Sequence, residues 1–183
     1  MRKLRSRLVA VLTVVFIAVQ IGLSAECSAV SSPEKCGSNQ SRQILKGPKK
    51  LLSQLHKKAE KASNPPFFSN GKFDEEEFKY VGKINLSAKD RFELVLLTTT
   101  WGESCRATRR LLVFSADGAY LGNYGSLPEE PSKLIGAKIL FPFDERGGNF
   151  IEFSGANPPS EVLLDGENIQ FDAVGSKKSS TKR

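Results

Sequence analysis

The sequence predicts a mainly β domain with one N-terminal helix, its strands forming an antiparallel meander folded into a small sandwich or barrel. Two observations carry that expectation. From residue 74 onward, short runs rich in β-branched and aromatic residues alternate with turn residues at close spacing. Ahead of them lies one segment of helical periodicity, in which Leu51, Leu52, Leu55, Ala59 and Ala62 recur on one face.

The helix is expected at about 48–62. Pro48 can open it, since a missing N–H costs nothing in the first turn. Its outer face carries Lys49, Lys50, Lys57, Lys58 and Lys61, and Asn64, Pro65 and Pro66 stop it. About eight strands follow, at 78–86, 91–101, 107–116, 119–124, 135–143, 149–154, 160–164 and 167–172. Asp117-Gly118 and Asp165-Gly166 each read as a two-residue type I′ turn, which needs positive φ at both positions. The second places Val162 opposite Ile169. Gly147-Gly148 is expected to turn a further hairpin, joining 139–143 to 149–153, and Pro128 and Pro131 break the ladder before it.

Strands two and three constrain the architecture most. Leu94, Val95, Leu96 and Leu97, and then Leu111, Leu112, Val113 and Phe114, are apolar on successive residues. Strand side chains alternate faces, so both faces of this hairpin require cover. The domain core covers one, and the helix, a closed sheet or a second subunit covers the other.

The chain divides by composition as well. Arg2, Lys3, Arg5 and Arg7 precede an apolar run at 8–23, and small residues Ser24, Ala25, Ser28 and Ala29 follow it, which is the pattern of a secretory signal peptide over 1–29. The run is shorter than a spanning helix needs. Cleavage fits after Ala25 or after Ala29, and the expected location is secreted or periplasmic. Residues 30–73 form a basic leader, flexible up to the helix because 30–42 is polar and cannot offset its own ordering entropy. The β domain occupies 74–173 and a disordered basic tail 174–183.

With the four leading cations set aside, the chain holds 23 basic and 20 acidic residues, so its formal charge of +7 overstates the basicity of the remainder. Residues 26–73 carry a net +6, residues 74–173 a net −7 and the last ten +4. Basic arms flanking an acidic domain suit peripheral contact with an anionic surface, and no nucleic-acid partner is expected.

In an exporting context, three cysteines cannot all pair within one chain. Removal of Cys27 with the signal leaves Cys36 and Cys105 to form a disulfide. If Cys27 stays, it pairs with Cys36 and leaves Cys105 free.

Histidine sets the limits on catalysis. His56 is the only one, so no histidine triad and no multi-histidine metal site can be built in one subunit. It reads as a surface or boundary residue. Cys105 lacks a histidine base and reads as a disulfide or core cysteine. Carboxylates are plentiful enough for a glycosidase-like pair, but Asp117, Asp144, Glu145, Asp165 and Glu167 fall in or beside turns, and Asp74, Glu75, Glu76 and Glu77 read as a solvated face. The oxygen-ligand spacing of a calcium loop is missing around Asp165, and Gly118 and Gly122 lie in a hairpin rather than at a helix N-terminus. No metal and no cofactor are expected.

What remains is a surface at the tip of the second hairpin, where Trp101 is followed by Arg106, Arg109 and Arg110, residue types enriched in binding hot spots. The expected function is that of an exported, non-catalytic binding protein acting on an exported protein or envelope component. A small carboxylate-dependent hydrolase and an envelope-associated structural protein are the alternatives. Intact-mass measurement of the exported protein checks the processing: a chain beginning at Val30 or Glu26 is expected, and retention of the first 25 residues would make it membrane-tethered.

Overall fold

The computed structural model describes residues 42–62, 75–101, 106–142 and 148–175. They form ten strands and one helix, arranged as an open seven-stranded sheet, a three-stranded sheet on one of its faces and the helix on the other. The cysteines, and with them the expected Cys36–Cys105 disulfide, lie outside the described residues, as do the signal-like segment and residues 176–183 of the expected tail.

The chain enters through β1 (Arg42–Lys46), crosses through α1 (Lys49–Ala62) and returns as β2 (Glu75–Asn85), which pairs with β1 in parallel. This corrects the expectation of a purely antiparallel meander. Two strands joined by a helix start from the same end of the sheet, so the crossover makes them parallel. Pro48 stands just outside the helix as its cap residue, and its carbonyl accepts the first helical bond, from Leu52 N at 2.9 Å.

From β2 the chain does meander. The strands β3 (Arg91–Trp101), β4 (Arg106–Ser115) and β5 (Tyr120–Tyr124) pair antiparallel in turn. It then departs to build the small sheet from β6 (Lys133–Ile135), β7 (Lys138–Leu140) and β8 (Phe150–Glu152). Finally it returns as β9 (Glu161–Leu164) and β10 (Glu167–Ala173), with β10 pairing β5. The large sheet runs β1-β2-β3-β4-β5-β10-β9 and does not close into a barrel. Where the chain leaves the large sheet, the Tyr124 hydroxyl donates to the carbonyl of Pro159, where it comes back, at 2.7 Å.

Alternation in the central hairpin decides the layering. Phe92, Leu94, Leu96, Leu111 and Val113 face the small sheet and join Ile139, Ile151 and Phe153 in the larger core. Val95, Leu97, Leu112 and Phe114 face the other way and are covered by Leu52, Leu55 and Ala59 of α1, together with Phe78 and Tyr120. The helix docks as its periodicity requires, with Leu51 at the margin. In β2 the register shifts between Tyr80 and Gly82. Phe78 and Tyr80 therefore face the helix while Ile84 faces the small sheet. Gly82 has φ +148, and a Cβ there would come within 2.6 Å of Leu134 Cδ2, so the small sheet approaches β2 where a side chain is missing.

Several local expectations need correction. The single strand expected at 135–143 is split into β6 and β7 by a tight turn through Gly136, at φ +59. Gly118 has φ +75, but Asp117 is not in the positive-φ region. That turn is a three-residue loop closed by Gly118 N to Ser115 O at 2.8 Å and Ser115 N to Ala119 O at 2.9 Å, rather than type I′. The Asp165-Gly166 turn has φ of 51 and 78, as type I′ demands, and Val162 does face Ile169.

Full burial of Leu52 between α1 and the sheet makes its truncation costly. Urea denaturation of Leu52→Ala is expected to show a loss of about 2–5 kcal/mol. Lys57→Ala, on the exposed side of the same helix, should stay within about 0.5 kcal/mol of the parent.

Candidate interaction surface

The ladder between β3 and β4 sets Trp101 directly opposite Arg106, Thr99 opposite Thr108 and Leu97 opposite Arg110. These pairs share the face on which Leu97 meets the helix. Trp101 is half-buried and Arg106 exposed. Arg110 is largely covered, and that burial pulls its guanidinium below the ordinary arginine range, against the charge of Asp172. The four-residue step from Arg106 to Arg110 separates them by roughly 13 Å along the strand.

Arg109 does not belong with them. It lies opposite Thr98 and so projects toward the small sheet. There its Nε is 3.9 Å from Glu130 Oε1, and its backbone carbonyl accepts from Leu127 N at 3.0 Å. Lys79 Nζ reaches the other Glu130 oxygen at 3.1 Å. Arg109 thus holds the loop at 125–132 against the sheet. The surface read from sequence as four residues becomes Trp101, Arg106 and Arg110 with Thr108 between them. Counting by twos along β4 from Arg106 selects Thr108 and rejects Arg109, so the signal was present.

The acidic run is likewise not a solvated face over its described part. Glu75, Glu76 and Glu77 lie within β2, beside β1. Glu76 accepts from the Nε2–H of His56 at 2.7 Å and from Gln43 Nε2 at 3.2 Å. Glu77 pairs with Lys46 at 2.7 Å, which holds that ammonium above its ordinary range. The His56 ring also packs edge-on to Phe78, with centroids 5.3 Å apart. The lone histidine therefore ties α1 to β1 and β2 at the boundary of the helix-side core. Its side chain keeps 15% of its surface, and the Glu76 side chain 14%.

Among the described residues, no group of three or more His, Cys, Asp or Glu side chains is placed to hold a metal ion, and no helix is long and apolar enough to cross a membrane. Asp117 and Asp165 serve their turns. The Asp117 carboxylate accepts from the Ser115 hydroxyl and the Ala119 amide, which lowers its pKa. Asp165 supplies the positive φ. Compared with known proteins, the chain matches no family model, and no curated protein or solved structure is similar to it.

All three tyrosines of the chain are perturbed in one direction. Burial raises the phenols of Tyr80, Tyr120 and Tyr124, and Tyr80 is raised further by donating to Glu93. In the unfolded chain, phenols ionise near pH 10. Above that pH the folded state binds more protons than the unfolded one, so stability falls as pH rises and is intact below it. The expected result is that phenolate absorbance does not develop gradually near pH 10 but appears together with unfolding at higher pH. Gradual ionisation with the fold intact would contradict the burial of these rings.

Proposed function

We propose that this is an exported, non-catalytic binding protein that takes a protein partner at the ends of β3 and β4, on the helix-side face. The observation that carries the proposal is the cross-strand pair Trp101–Arg106, an amphipathic ring half-buried beside an exposed guanidinium. A flat aromatic set against the sheet loses little conformational freedom on binding, and arginine offers a planar fork of donors to carbonyls or carboxylates. Arg110, two positions along the same face, extends the cationic side of the surface. Support for export comes from the cation-then-apolar order of residues 2–23. Asp90 and Asp117 serve turns, and Glu76, Glu77, Glu93, Glu130 and Glu152 are engaged in hydrogen bonds or ion pairs, which favours binding over acid–base chemistry.

The test is capture of exported proteins by the parent, Trp101→Ala, Arg106→Ala and Arg109→Ala. The first two changes should each weaken capture by about 2 kcal/mol, roughly thirtyfold, with the melt retained. Arg109→Ala, on the opposite face, should capture like the parent. Equal losses from all three changes, or unfolding on the tryptophan change, would overturn the reading.

A further inference from the structure

The outer side of α1 is unusual in what it contains and in what it lacks. At 100° per residue, Lys50, Gln54, Lys57 and Lys61 fall on one stripe, diametrically opposite the buried Leu52, Leu55 and Ala59. All four are exposed. The stripe spans about 16 Å of helix at 1.5 Å per residue. Lys49 and Lys58 flank it, Lys58 donating to the carbonyl of Asp117 at 2.7 Å, and Glu60 is the one acid of the helix. No apolar side chain interrupts the stripe, and its cations are all lysine.

We infer that this lysine ridge is a docking surface for a bilayer rich in anionic phospholipid, bound from outside the headgroups without insertion. The inference is independent of the Trp101 surface, which lies on other elements. Three observations select this occupant. Leu52, Leu55 and Ala59 are buried by the sheet and Leu51 is half-buried at its margin, so the helix has no free apolar face to bury among acyl chains and the attraction is mainly electrostatic. The ridge is straight and convex, which fits a plane rather than a groove. Lysine is a strongly hydrated point charge without arginine's planar fork, so it favours an anionic surface without requiring one fixed geometry.

The acids of the same side of the sheet do not cancel this. Glu161 and Asp172 project on the helix side of the sheet from β9 and β10, and residues 147–176 hold five acids and no base. The helix stands about 10 Å above that level, and the screening length at physiological salt is about 8 Å. A surface touching the ridge is therefore reached first by the lysines.

Each lysine at an anionic leaflet strengthens partition about fivefold, so Lys50, Lys57 and Lys61 together supply about a hundredfold. The test is lysine-acetylation footprinting of the full chain with vesicles of phosphatidylcholine alone and of phosphatidylcholine mixed equally with phosphatidylglycerol. A contribution from the apolar run at 8–23 appears with both. Protection of Lys50, Lys57 and Lys61 only with phosphatidylglycerol is expected, reversed by salt, with Lys133 and Lys138 of the small sheet unchanged. In Lys50→Gln/Lys57→Gln/Lys61→Gln, with an unchanged melt, the accompanying protection of Lys49 and Lys58 should disappear. Equal protection with both vesicles, or with neither, overturns the inference. Protection that grows with protein concentration in the absence of vesicles overturns it too, and assigns the ridge to the acidic β9–β10 hairpin of a second copy.

Discussion

Everything in this fold follows from the β3–β4 hairpin being apolar on both sides. Leu94 to Leu97 and Leu111 to Phe114 put eight side chains into two cores at once, four on each face. An antiparallel sheet can leave one face in water, but this one cannot. The small sheet and the helix are the two answers, and neither has an independent core. A helix of 14 residues is marginal in isolation, and three strands of three residues bury little by themselves. The hairpin gives both a surface to order against.

Much of this was legible from local rules, because the rules agreed. Periodicity located the helix and its buried leucines, Asp165-Gly166 set the register of the β9–β10 hairpin through turn chemistry, and the doubled apolar pattern required cover on both faces without saying which element would supply it. Failure came where the deciding contact was distant in sequence. Gln43 to Lys46 is too short and too polar to announce a strand; it becomes one because the crossover through α1 lays it along Glu76 to Lys79. The acidic run misled for the same reason. Glu76 and Glu77 look solvated until β1 and the helix bring Gln43, Lys46 and His56 to them. Arg109 is a different case, since adjacency along the chain groups it with Arg106 and Arg110 while the alternation of the strand places it on the other face.

The division of charge has a structural counterpart. The two ends of the large sheet differ in sign, with β1 and α1 basic and the β9–β10 hairpin acidic. Lys46 of β1, itself exposed, is tied to Glu77 of β2, while Lys50, Lys57 and Lys61 are exposed on the outer face of the helix. The basic character of the leader is thus split between holding the edge strand and presenting charge outward, a distinction that total charge conceals.

The bond from Tyr124 to Pro159 has one more consequence. It joins the point where the chain leaves the large sheet to the point where it returns, and the pairing of Tyr124 with Phe171, itself bonded to Ser160, keeps that gate shut. The segment at 125–158 is thereby a closed excursion. Because the entropy of closing a loop grows only slowly with its length, its turns can lengthen or change sequence while the strand order beneath them stays as it is. The small sheet is in this sense a module clipped to a fixed frame, and a replacement would have to fill the core as Ile139, Ile151 and Phe153 do and fit where Leu134 meets the bare backbone of Gly82.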